Sequence, residues 1–126
     1  MATTNKQRRI WIGYSLLSIA ILHTVYAFVF FGGIYTILLR QGLFDTVNQD
    51  ALKGAAVWFL LFGVLLALLG IAVHALEKSP YFHGARALGA GIFALSLLGV
   101  ILMPASGFWL AFPPALALLM TRSSAV

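Results

Sequence analysis

His23 is the residue of this chain best placed to do chemistry. It stands 13 positions past the start of a 22-residue uncharged run, residues 10–31, which at about 1.5 Å per helical residue is roughly 20 Å into a bilayer. An ionisable group at that depth is costly to bury and is by default a functional candidate. Neutral imidazole can relay a proton, bind a ligand or hold a cofactor. The plainer alternative is an imidazole hydrogen-bonded between two helices and keeping them in register. Thr24 follows directly, and Tyr26 lies three positions on, within side-chain reach of the histidine on a helix.

Pro113 and Pro114 form the second feature. Neither has an N–H, so in a continuous helix the carbonyls four positions earlier, Trp109 and Leu110, lose their partners. Hydrocarbon supplies no water to replace them. Counted down from the outer end, opposite the end from which His23 was counted, the break lies roughly 10 Å deep, close to the depth of His23 in a core of about 30 Å. The candidate polar membrane site is therefore His23 with Thr24 and Tyr26, meeting a broken fourth helix at Trp109, Leu110, Pro113 and Pro114. A simple kink packed on neighbouring helices is the plainer outcome, since prolines are tolerated in membrane helices.

The remaining polar residues give no catalytic set. His74 lies near the end of the second apolar run beside Glu77, and His83 sits in a polar turn with Arg86. His23 and His74 differ in depth by roughly 15 Å, too far apart to ligate one haem iron. Asp45, Asp50 and Glu77 all lie in or next to connections, whereas a proton-coupled cation exporter needs a carboxylate inside the membrane. With no cysteine in the chain, there is no thiolate nucleophile and no cysteine-ligated metal. No catalytic, cofactor-binding or metal-ligating residues are assigned, and no cofactor is expected.

The elements that must carry these residues are helices. Of the 126 residues 62% are hydrophobic and 9% charged, with a mean hydropathy of +1.01, whereas a soluble domain carries about a quarter charged residues. That balance predicts one all-α membrane domain, a four-transmembrane-helix bundle with spans near 10–31, 55–76, 85–103 and 108–121. The first run is too long for a cleaved signal segment and is taken as a retained span. Gly32 and Gly33 are expected to end it. The connection 32–54 then holds a short interfacial helix, with Ile34, Ile37 and Leu38, and Leu43 and Phe44 beyond them, on its membrane side. Asp50 is placed to cap the second span. Pro104 to Gly107 is a tight helical hairpin, and Trp11, Tyr14, Trp58, Tyr81, Phe82 and Trp109 read as interfacial anchors.

Net charge is +5, from eight Lys and Arg against three acidic residues. The cations are scattered in ones and twos between apolar runs, which argues against nucleic acid and for a role in topology. Lys6, Arg8, Arg9, Lys78, Arg86 and Arg122 flank one side, Arg40 and Lys53 the other. Six against two predicts both termini in the cytoplasm. Packing in lipid depends on small residues that let backbones approach, and three rows offer them: Gly13, Leu17, Ala20, Thr24, Ala27 and Phe31; Gly63, Ala67, Gly70 and His74; Ala87, Gly91 and Ala94. Such rows face either another helix of the same chain or a second copy or other membrane protein, so lipid and those proteins are the expected partners.

Segments 56–70 (AVWFLLFGVLLALLG) and 99–119 (GVILMPASGFWLAFPPALALL), with His23 and Thr24 inside the first helix, resemble an uncharacterised bacterial family of small four-helix membrane proteins. The string MPASGFWLAFPP is its most specific part. The resemblance implies a multi-pass protein of the bacterial inner membrane and brings no activity, cofactor or site residue with it. The function expected is a non-enzymatic interaction or small-ligand or lipid-binding module. The alternative is a small transporter or proton-linked carrier using His23 beside the proline break, and a third reading, a lipid-active membrane enzyme, needs a second polar group near His23.

Overall fold

The computed structural model describes residues 10–121. Among them the chain is helical throughout, with α1 at Ile12–Arg40, α2 at Ala51–Lys78, α3 at Ala85–Leu102, a 3-10 segment at Gly107–Ala111 and α4 at Phe112–Leu119. Three helices, α1 to α3, are long and apolar enough to cross a membrane. The fourth apolar segment, Gly107–Leu119, is shorter. Lys6, Arg8, Arg9 and Arg122, on which the expected orientation partly rests, lie outside the described residues.

α1 does not stop at Gly32 and Gly33 but continues through them to Arg40. In water a mid-helix glycine costs about 1 kcal/mol against alanine, partly because it exposes backbone to solvent; inside an apolar layer no water competes for the helical hydrogen bonds. Packing supplies the rest. Tyr35 and Leu38 are buried against Ala56 of α2, together with Ala27, and the Tyr35 hydroxyl donates to the Ala56 carbonyl at 2.8 Å. The separate interfacial helix expected after Gly33 is therefore the last turns of α1, and Leu38, expected on its membrane side, is core. Asp50 does cap α2, its carboxylate accepting from Leu52 and Lys53 N–H at 3.0 and 3.1 Å.

α1 and α2 form an antiparallel pair in the register that their small residues suggest. A Cβ at Gly13 would fall 2.5 Å from His74 Cβ, one at Gly70 2.9 Å from Leu17 Cγ, and one at Gly63 2.9 Å from Thr24 Oγ1. Backbones this close leave no room for a methyl group. The third row is corrected. Ala87, Gly91 and Ala94 are exposed on α3, and Gly91 has open space where a side chain would be. The buried row is Ala85, Gly89, Ser96 and Gly99, with Gly89 against Leu119, Leu118 and Ala115 of α4 and Gly99 against the Phe108 ring. α1 also touches α4 and the 3-10 segment. Ile12, Leu16, Val73, Phe82, Ala85 and Leu118 gather residues from all parts of the chain into one core cluster at one end of the bundle.

The fourth segment differs from a kinked span. Pro113 and Pro114 lie in the first turn of α4, where the N–H groups have no intrahelical partner in any case. The Trp109 carbonyl, expected to be orphaned, accepts from the Phe112 N–H. A 3-10 turn followed by a proline-started helix thus replaces a broken α-helix.

Candidate functional site

His23 is held by α2. Its Nε2 lies 2.8 Å from the Phe59 carbonyl oxygen; a carbonyl only accepts, so the ring carries its proton on Nε2 and donates it. The imidazole stacks on the Phe59 ring with centroids 4.0 Å apart and 15° between planes, and meets Phe62 at 5.5 Å. Gly63 makes room for this: a Cβ there would stand 3.0 Å from His23 Cδ2. The missing side chain lets the ring lie against α2 and reach a carbonyl one turn away. Thr24 points its hydroxyl back to the Ala20 carbonyl of its own helix at 2.8 Å. Tyr26 stacks on Phe30 at 4.0 Å.

Trp109, by contrast, works inside its own hairpin. Its indole Nε1 donates to the Pro104 carbonyl at 2.9 Å, its ring lies 5.8 Å from Phe112, and Trp109 and Leu110 are both exposed. The hydrogen bond of His23 thus goes to α2, while α1 also touches the 3-10 segment and α4. Pro113 and Pro114 lie in the first turn of α4 and do not break a helix in its middle.

Glu77 is the residue that the sequence reading missed. It is only 9% exposed, and its carboxylate reaches across to the start of α1. Oε1 accepts from the Trp11 and Ile12 N–H at 3.3 and 3.0 Å, and Oε2 from Gly13 N–H at 2.8 Å. α1 has no side-chain cap of its own. A carboxylate at a helix N-terminus satisfies orphan donors and meets the positive end of the helix dipole. One signal in the sequence pointed there. The α2 row Gly63, Ala67, Gly70 and His74 steps by four, three and four, and the next step of three is Glu77.

His74 completes this end. Its backbone abuts Gly13, and its ring lies 4.4 Å from that of Tyr14. Its Nδ1 is buried with no hydrogen-bond partner, unlike His23 Nε2, the Tyr35 hydroxyl and the Glu77 carboxylate. The two histidines are separated by the stretch of α1 from Gly13 to His23, about 15 Å at about 1.5 Å per residue, and are not brought together. His83 stacks on Tyr81 at 6.0 Å in the turn before α3. Arg86 donates from Nε to the Thr121 carbonyl at 3.2 Å, tying the start of α3 to the end of α4.

What the arrangement does chemically is bind helix to helix. Three levels of the α1–α2 pair are fastened by a side chain of one helix bonded to the backbone of the other: Glu77 at one end, His23 in the middle and Tyr35 at the far end. Among the described residues no three His, Asp or Glu side chains are grouped to hold a metal ion. No curated protein and no solved structure is significantly similar to the chain. Residues 7–125, nearly the whole length, match a family whose function is not known, in keeping with the membrane-spanning helices described above, and the chain belongs to that family, DUF6463.

Proposed function

We propose that this chain is a multi-pass membrane protein acting as a non-enzymatic module that binds lipid or a partner helix through its outer surface. Its setting is the bacterial inner membrane, with both termini in the cytoplasm. The observation that carries this reading is the use made of the interior polar side chains. His23, Tyr35 and Glu77 each bond to backbone groups of the facing helix, which fastens α1 to α2 and commits the groups an acid–base or carrier mechanism would need.

The test is reconstitution of wild type and His23→Ala into vesicles with a pH-sensitive dye inside. No proton or alkali-cation flux above protein-free vesicles is expected from either. Native mass spectrometry of the purified wild-type protein should show retained phospholipid or a bound partner chain. A flux that His23→Ala abolishes would instead establish the carrier reading, in which the imidazole leaves the Phe59 carbonyl during transport.

A further inference from the structure

Three features set the α3–α4 hairpin apart from the α1–α2 pair. The first is length. α1 has 29 residues and α2 has 28, about 43 and 42 Å at about 1.5 Å per residue, as long as a bilayer with its headgroups at about 40–45 Å. α3 has 18 residues, about 27 Å. Phe82 and Ala85 share a core cluster with Ile12, so α1 and α3 start at the same level. The turn after Leu102 therefore stops about 16 Å short of the level of Arg40.

The second feature is charge. No charged residue lies between Arg86 and Arg122, and the turn itself reads Met103, Pro104, Ala105, Ser106, Gly107. The connection after α1 carries Asp45 and Asp50, and the turn before α3 is flanked by Lys78 and Arg86.

The third is backbone satisfaction. The first N–H groups of a helix are solvated when it starts in water, but in hydrocarbon each must be bonded or absent. At the start of α4 the Phe112 N–H is bonded to the Trp109 carbonyl, and Pro113 and Pro114 have none. Pro104 removes another donor from the turn. On the acceptor side the Pro104 carbonyl takes the indole N–H of Trp109, and Met103 N–H closes the last turn of α3 on Gly99. The satisfied groups are those at the start of α4 and at the two ends of the turn; within it, Ser106 Oγ is buried without a hydrogen-bond partner.

We propose that the α3–α4 hairpin is re-entrant: it enters the bilayer from the side of residues 79–84, turns at 103–107 within the apolar layer, and leaves above the turn a recess filled by lipid of the opposite leaflet. This rests on the reading that the chain is embedded in a membrane. Lipid is the occupant because the parts of α1 and α2 that overtop the turn expose apolar side chains, Phe30 at 63%, Leu39 at 65% and Leu52 at 60%. They continue the lipid-facing surface below without a charged break on α1 before Arg40. The leaflet is locally thinned there, a deformation bilayers tolerate at modest cost.

Because the chain has no cysteine, single thiols can be introduced without further change. Asn48→Cys, Ser79→Cys, Met103→Cys and Ala105→Cys are expressed in cells and tested in right-side-out and inverted membrane vesicles with a charged, membrane-impermeant maleimide. Asn48→Cys and Ser79→Cys should label from opposite faces. Met103→Cys and Ala105→Cys should label from neither face, at a rate on the order of tenfold or more below Asn48→Cys, since a charged reagent does not enter hydrocarbon; they should label fully once detergent is added. A nitroxide on the same thiols gives a second readout, with relaxation by oxygen exceeding relaxation by a water-soluble nickel chelate at 105 and the reverse at 48. Labelling of either turn thiol at the Asn48→Cys rate, or nickel exceeding oxygen at 105, overturns re-entry. Labelling of Asn48→Cys and Ser79→Cys from the same face would instead overturn the membrane-crossing reading itself.

Discussion

A carboxylate that closes the end of a neighbouring helix is worth more than its position beside a connection suggests. Glu77 takes three N–H donors of α1 at a site it shares with almost no solvent. Glu77→Ala leaves those donors without a partner and should destabilise the protein by about 2–3 kcal/mol, since a buried unsatisfied donor costs about 1–3 kcal/mol and neighbouring solvent at exposed Trp11 recovers part of it. Glu77→Gln keeps one acceptor oxygen and should lose about half as much. Denaturant unfolding in micelles, followed by circular dichroism, reads both. Equal stability of all three proteins would show that the start of α1 is satisfied some other way. His23 is a different case, because a single interhelical hydrogen bond in a membrane protein is worth only about 0.6 kcal/mol on average. Its depth was visible in the sequence, but its partner was not, since Phe59 contributes a backbone carbonyl that any residue type would offer.

Helix by helix, the small-residue rows decide which faces meet, and α3 carries two of them. Ala87, Gly91 and Ala94 step along one face; Ala85, Gly89, Ser96 and Gly99 step along another. Both satisfy the spacing rule, so the choice falls to the partner. The backbone of α4 sits so close that a Cβ at Gly89 would stand 2.7 Å from Leu119 N and 2.9 Å from the Ala115 carbonyl oxygen. Gly89→Ala should therefore push α3 off α4 and cost about 1–3 kcal/mol, as overpacking does. Gly91→Ala meets open space and should change stability by less than about 0.5 kcal/mol. Thermal unfolding of the two variants side by side distinguishes the faces, and the reverse order of stabilities would assign α3 its other row. Rows on α1 and α2 were legible without a structure because each of those helices offers one such row, running the length of the interface from Gly13 against His74 to Thr24 against Gly63.

At the scale of the whole molecule, orientation follows from where the cations lie. Reporter fusions at Asn48, at Ser79 and after the last residue should be exposed on the outer side, the cytoplasmic side and the cytoplasmic side respectively, since six Lys and Arg flank the side of Ser79 and both termini, and only Arg40 and Lys53 the other. An alkaline phosphatase fusion is active only outside, so activity at Ser79 would reverse the topology. The sequence by itself determined that the chain is helical with apolar runs long enough to cross a membrane, that Asp50 starts α2, and that α1 and α2 each carry a row of small residues fit for close packing. Those properties follow from composition and from spacings within one helix, which a linear string displays in full. Only the tertiary structure decided that α1 continues past Gly32 and Gly33, that Glu77 caps a helix 64 positions away, that α3 turns its Gly89 row inward, and that His23 bonds to the Phe59 carbonyl. Each of those depends on what lies opposite across a helix interface, and in an apolar layer, where any apolar side chain faces lipid as readily as protein, close approach and backbone hydrogen bonds make that choice.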